Sequence, residues 1–159
     1  IVLPKESNRV TAEAEIAVVI GRACHSVSEE AAVGYIAGYC LVIDMTAEDI
    51  LLRNPRFLTK SKNFDSFFSF GPELVTPDEI PDLMSLNVAT WKNGSPHREN
   101  TVSNMAFNPF YLVSHFSHIS TLYPGDVIST GTPGATVIQS GDQVQCCVTG
   151  FRTLTNRAV

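Results

Sequence analysis

Glu13-Ala14-Glu15-Ile16-Ala17-Val18-Val19-Ile20-Gly21 is the stretch on which the fold turns. It opens in alternation and ends as a continuous apolar run. That pattern predicts a strand whose tail is buried on both faces and whose front carries carboxylates. Gly21 stops it. Tyr39-Cys40-Leu41-Val42-Ile43-Asp44 reads as a second buried strand that again finishes on an acid. Glu13 and Glu15 stand two residues apart, so both side chains leave one face of the strand. Like charges at the edge of a core are costly unless something neutralises them. Hard oxygen ligands suit Mg²⁺ or Mn²⁺, and two strands side by side would bring Glu13, Glu15 and Asp44 together as metal ligands. Composition alone favours a plainer reading, an edge strand with its acids in solvent, because Glu-x-Glu pairs are common.

Working outward, Ser28-Glu29-Glu30 predicts a helix with a serine N-cap and acids in its first turn, running to Ala37 and closed by Gly38. Thr46 to Leu52 reads as one short helical stretch. Arg53 to Gly71 reads as irregular and is rich in phenylalanine (Phe57, Phe64, Phe67, Phe68, Phe70). Leu86 to Trp91 predicts a strand, and Asn93-Gly94 a type I′ hairpin turn. Asn108-Pro109 opens a helix to about Ile119, with proline at its first position. Asp126 to Thr130, Gln143 to Val148 and Thr153 to Val159 read as further strands. Many short strands with two main helices make a β-rich α+β domain, expected as a compact roll or barrel-like sheet over residues 1–159. Strands and helices do not alternate regularly enough for a doubly wound sheet.

The chain has 159 residues, 44% of them hydrophobic and 17% charged, which is enough for the core of one domain and excludes a disordered tail. Its formal net charge of −5 and the absence of a basic stripe speak against nucleic acid as a partner. No run of 18 apolar residues appears, so no helical membrane span is expected. Cys24, Cys40, Cys146 and Cys147 show neither CxxC spacing nor a disulfide framework, which points to a reducing compartment, the cytoplasm. The chain opens on Ile1 rather than Met and shows no signal peptide, so either a leader was removed or an upstream part of a longer protein is absent.

The order of the motifs adds what spacing alone cannot. Glu13 to Gly21 resembles the E-x-E-L-A-V-V-I-G strand of the fumarylacetoacetate hydrolase family. Tyr35-Ile36-Ala37-Gly38-Tyr39 and Asp44-Met45-Thr46-Ala47 resemble that family's Y-V-A-G-Y and D-[MV]-[ST]-A segments. Lys62-Asn63-Phe64-Asp65-Ser66-Phe67 resembles K-S-F-D-T-F, with Gly71-Pro72 following. Leu122 to Pro133 resembles L-x-P-G-D-V-I-x-T-G-T-P. Each motif is modest, but the ordered set covers nearly the whole chain in register.

The resemblance implies a Mg²⁺- or Mn²⁺-dependent enzyme acting on a small 2-oxo acid, with a β-rich roll and commonly a homodimer. It implies that Glu13, Glu15 and Asp44 hold the metal, that Lys62 lies beside the substrate, and that Thr132, with Gly131, binds the substrate's carboxylate end. Acylpyruvate hydrolysis, oxaloacetate-type decarboxylation and 2-hydroxymuconate-type isomerisation all pass through an enolate. Two departures stand out. The family usually carries arginine four residues after the metal-binding aspartate, and here that residue is Glu48, which reverses a charge suited to clamping an anion. Hydrolytic members also carry a His/Glu pair on an upstream lid, and this chain begins downstream of it. The alternative is therefore a catalytically inactive relative that binds a metal or a 2-oxo acid as a sensor or structural subunit.

Other residues read more plainly. His115 and His118 share a helix face without a third nitrogen ligand. Cys146-Cys147 reads as small buried hydrophobes rather than a nucleophile. The phenylalanine-rich stretch suits a substrate pocket, a dimer interface or core packing. Gly131 and Gly134 flank a turn and do not form a phosphate loop.

Overall fold

The strand that carries the paired glutamates begins three residues before the first of them. A computed structural model describes all of residues 1–159. In it β1 (Val10–Ile20) pairs antiparallel with β2 (Ile36–Ala47) along its length. The even-numbered side chains Ala12, Ala14, Ile16, Val18 and Ile20 are all but completely buried and form one wall of the core. Between these strands lies α1 (Glu29–Ala32), capped by Ser28 through a hydrogen bond from the Ala31 N–H. After β2 come α2 (Glu48–Arg53), α3 (Leu58–Lys62) and β3 (Phe68–Val75). The second half holds β4 (Asn87–Lys92), β5 (Ser95–Thr101), α4 (Pro109–Ile119), β6 (Val127–Ser129), β7 (Thr136–Ile138), β8 (Gln143–Val148) and β9 (Leu154–Arg157).

Two antiparallel sheets result. One runs β3-β2-β1-β6 with β7 also on β1, and the other runs β5-β4-β8-β9. They meet where the alanines of β1 allow β4 to come close: fully buried Thr90 accepts the Ala14 N–H at 3.2 Å. The β-rich α+β roll predicted from the sequence is the fold observed. No helix is long and apolar enough to cross a membrane.

The outer edge of β1 is covered in two pieces. β7 pairs with residues 10–12 and β6 with residues 17–19. In the gap between them Thr130 bonds the Ile16 carbonyl through both its N–H (3.3 Å) and its hydroxyl (2.6 Å). The chain after β6 therefore crosses the strand edge beside Glu15.

Several expectations shift. The helix expected to reach Ala37 is one α turn followed by a 3-10 turn over Val33–Tyr35, because Ile36 to Gly38 pair with β1 instead. Thr46 and Ala47 belong to β2, and the short helix starts at Glu48. The stretch read as irregular contains α3 and the start of β3. β5 and β7 had no apolar alternation to announce them. The Asn93-Gly94 turn joins β4 to β5 with positive φ at both residues, as a type I′ turn requires.

Gly38 of β2 lies tight against the end of β3. A Cβ there would lie 2.5 Å from the Val75 carbonyl oxygen and 3.0 Å from Leu74. Gly38→Ala is expected to lower stability by about 2 kcal/mol, the usual scale of overpacking. Denaturant unfolding with an unchanged midpoint would show that β3 yields freely.

Candidate functional site

The β1–β2 register places Glu13 directly opposite Asp44, and Glu15 follows on the same face. One carboxylate oxygen from each of Glu13, Glu15 and Asp44 lies within 4.8 Å of the other two. No other group of three acids, histidines or cysteines converges in this way. The three residues singled out from two separate stretches of sequence are thus one cluster.

Lys62, at the end of α3, reaches into it. Its ammonium donates to Asp44 Oδ2 at 2.5 Å, to the Thr46 hydroxyl at 2.8 Å and to Glu13 Oε2 at 3.2 Å. Thr46 in turn donates to Glu13 Oε2 at 3.3 Å. Burial of Lys62 works against its charge. The hydrogen bond and negative charge of Asp44, with those of Glu13, outweigh that and raise its pKa above the ordinary lysine value. The ammonium is therefore firmly charged.

Glu15 sits deepest, at 5% exposure. Its Oε2 accepts from the Ser129 hydroxyl at 2.5 Å and from the Gly131 N–H at 2.7 Å. Burial nevertheless raises its pKa above the usual carboxylate value, with Asp44 and Glu13 adding repulsion. Ser129, the last residue of β6, sends its hydroxyl to the Glu15 side chain, and Gly131, in the crossing just beyond, sends its amide.

The donor set fits a hard divalent cation. Three negative charges face one lysine, which leaves an excess of negative charge. The protein's hydrogen bonds fall on Glu13 Oε2, Glu15 Oε2 and Asp44 Oδ2. Each acid thus keeps one oxygen without a protein donor, and oxygen-only sets of this kind suit Mg²⁺ or Mn²⁺.

The other residues singled out fall around this cluster. The Gly131 N–H is committed to Glu15. The Thr132 hydroxyl accepts the Gly134 N–H at 3.2 Å. Both line a cleft of about 300 Å³, together with Ile16, Asn104 and Phe107. Ile16 and Glu15 leave opposite faces of β1, so this cleft and the acid cluster meet only at the Thr130–Pro133 crossing. Glu48 is not a bare negative charge: its carboxylate pairs with Arg9. Thr46 and Ser129 were missed in the sequence. The signal for Thr46 was its place two residues after Asp44, on the same face; Ser129 carried none.

His115 stacks on Tyr111, and His118 Nδ1 lies 2.8 Å from the Ser114 carbonyl, so these histidines belong to the surface of α4. Burial pushes the Cys146 thiol up to about 12, which makes it a packing residue at neutral pH. Cys147, expected to be buried, is only partly so, because it faces outward from β8.

Comparison with known proteins places this geometry. The family model described as fumarylacetoacetate (FAA) hydrolase C-terminal matches residues 1–159. An uncharacterised protein of Methanocaldococcus jannaschii is 39% identical over 157 residues, covering 98% of this chain and 65% of that protein. The mitochondrial oxaloacetate tautomerase Fahd2a of Rattus norvegicus is 34% identical over 167 residues, covering 100% of this chain and 53% of that protein. The crystal structure of 5-carboxymethyl-2-hydroxymuconate delta-isomerase from Mycobacterium smegmatis superposes with a TM-score of 0.94 at 36% identity, covering 100% of this chain and 62% of that one. The chain thus spans between about half and two thirds of the length of these relatives. With the family model matched from end to end and the ordered motifs in place, the chain belongs to the fumarylacetoacetate hydrolase family.

Proposed function

We propose that this domain acts on a small 2-oxo acid, with a Mg²⁺ or Mn²⁺ ion held by Glu13, Glu15 and Asp44. The observation that carries this reading is the meeting of three carboxylate oxygens within 4.8 Å, each acid keeping one oxygen free of protein donors. A divalent cation bound there would polarise the 2-oxo carbonyl and offset negative charge on the enolate oxygen. The chain's own residues do the remainder. Lys62 holds a second positive charge against the same face of the sheet. Ser129 and Gly131 fix the carboxylate of Glu15. Thr132, one residue beyond, offers a hydroxyl for the substrate's carboxylate. Two relatives are, by their names, an oxaloacetate tautomerase and a 5-carboxymethyl-2-hydroxymuconate delta-isomerase.

Tautomerisation and decarboxylation need no base to activate water, whereas hydrolysis does. The side chains bonded to the acids, Lys62, Thr46 and Ser129, supply no such base, so we place the first two reactions ahead of hydrolysis for these residues alone. The alternative, a relative that binds without turnover, rests on Glu48 and on the His/Glu lid pair of hydrolytic members, and only the first is addressed by these residues. Glu48 is ion-paired with Arg9, which weakens the case that it repels an anionic substrate.

The test is ultraviolet-monitored loss of oxaloacetate and of acetylpyruvate by the complete polypeptide, with Mg²⁺ or Mn²⁺ and with chelator. Metal-dependent loss of either, abolished by the chelator, is the expected result. Bound metal with no turnover of either would favour the inactive relative.

A further inference from the structure

Two phenylalanines stand beside the acids on the same face of the sheet. β1 sets Glu13 opposite Asp44 and Glu15 opposite Val42. β3 sets Phe68 opposite Asp44 and Phe70 opposite Val42. Directly opposed residues send their side chains to one face, with Cβ atoms about 5 Å apart. Two rows therefore cross the sheet, Glu13–Asp44–Phe68 and Glu15–Val42–Phe70. The rings of Phe68 and Phe70 lie 6.0 Å apart, tilted by 40°. They are 48% and 58% exposed.

This arrangement inverts what core packing would select. The inward positions of β3 are Ser69, opposite fully buried Ile43, and Gly71, opposite fully buried Leu41. Ser69 bonds Asn156 of β9 at 2.9 Å, so that face is occupied by the second sheet. Shifting the strand by one residue would bury both rings, and the register does not do so. No lysine or arginine lies over either ring; the cation–ring contacts are Arg22 with Tyr35 and Lys60 with Phe57. Lys62 is turned to Asp44 and Glu13, and Arg9 to Glu48.

We propose that Phe68 and Phe70 form the platform on which the substrate's tail lies, selecting an apolar or aromatic tail over one that ends in a carboxylate. This rests on the reading of the acid cluster as the seat of the 2-oxo acid head. A head held at Glu13, Glu15 and Asp44 has the platform one strand away, on the same face. A planar tail gains ring contacts there, whereas a carboxylate tail meets two apolar rings over which no cation lies, Arg152 beside β3 being paired with Glu73.

The experiment measures Mn²⁺-dependent binding of pyruvate, phenylpyruvate and 2-oxoglutarate to the complete polypeptide by titration calorimetry. The three share the 2-oxo acid head and differ in the tail: none, aromatic and anionic. Phenylpyruvate is expected to bind about tenfold more tightly than 2-oxoglutarate, the scale of two ring contacts. In the Phe68→Ser/Phe70→Ser double variant the ratio should fall to within about twofold. Ile119→Ser, an exposed apolar change on α4, should leave it alone. Wild-type protein that binds pyruvate but does not distinguish the tails overturns this proposal only. A ratio that survives the double variant overturns it too, and a change of oligomeric size in that variant would then assign the rings to a subunit contact. Failure to bind any of the three in the presence of Mn²⁺ overturns the parent reading and this one with it.

Discussion

Glu15→Gln is expected to abolish divalent-metal binding while leaving the metal-free fold as stable as before, or more so. The two effects separate because burial and ligation act on the same carboxylate with opposite sign. At 5% exposure, with Asp44 and Glu13 nearby, the ionised form of Glu15 is disfavoured, and its pKa is raised above the usual 4.5. Glutamine keeps the shape and removes the charge. Its carbonyl oxygen can accept from both Ser129 and Gly131, as Oε2 does now. The linkage fixes the pH dependence. A carboxyl whose pKa is higher folded than unfolded binds more protons in the folded state, so wild-type stability falls as pH rises through that window. The advantage of glutamine is therefore absent well below pH 4.5 and present at neutrality. The cation loses one of three anionic donors. Removing a mere outer-shell partner costs about 10–100-fold in metal affinity, so loss of a direct ligand should exceed about a hundredfold. Calorimetric titration with Mn²⁺ and thermal melts with and without the ion measure both effects. Unchanged Mn²⁺ affinity would sink the metal assignment. Joint loss of affinity and of metal-free stability would make Glu15 a structural residue.

How far the sequence reveals this site depends on where each side chain finds its partner. β1 and the core of β2 are legible because alternation gives way to a continuous apolar run, which leaves few alternatives to a buried strand with acids at one end. Their antiparallel pairing then brings Glu13 to Asp44 with no further information. β3 is opaque for the opposite reason. Its phenylalanines point outward and its serine and glycine inward, so hydrophobic pattern carries no strand signal. β5 is exposed at nearly every position and is announced only by the Asn93-Gly94 turn that precedes it. Around the acids, the hydroxyl of Ser129 comes from the end of β6 and the amide of Gly131 from the crossing that follows, over the gap between β6 and β7 on β1. Only the three-dimensional register of β6 and β7 on β1 creates that gap. Lys62 is the intermediate case: a loop lysine by pattern, marked by family resemblance, and shown by its contacts to be the counter-charge of the cluster.

That counter-charge gives the second large expectation. Replacing Lys62 with methionine should weaken the metal-free protein, tighten its grip on Mn²⁺ and remove most turnover. The stem of methionine preserves packing along the strands, so the change is chiefly one of charge. Without the ammonium, Glu13 and Asp44 face each other across one rung, with only the Thr46 hydroxyl still donating to Glu13. Breaking a fully buried pair costs about 3–5 kcal/mol. The Lys62 side chain is 32% exposed, so solvent screening reduces this to about 1–2 kcal/mol. The oxygens that Lys62 now engages, Glu13 Oε2 and Asp44 Oδ2, belong to the same carboxylates a cation would use. Removing their resident positive charge should therefore strengthen metal binding, and the Mn²⁺-induced rise in melting temperature should be larger in the variant than in wild type. Turnover should move the other way, by about 10²–10³-fold, the scale of losing one preorganised donor to a developing oxyanion. A merely structural lysine would not split these readouts: it would lower stability and leave the rate of the metal-loaded protein intact. Wild-type turnover in Lys62→Met with Mn²⁺ bound would confine Lys62 to balancing the acids, and the enolate would then depend on the cation alone.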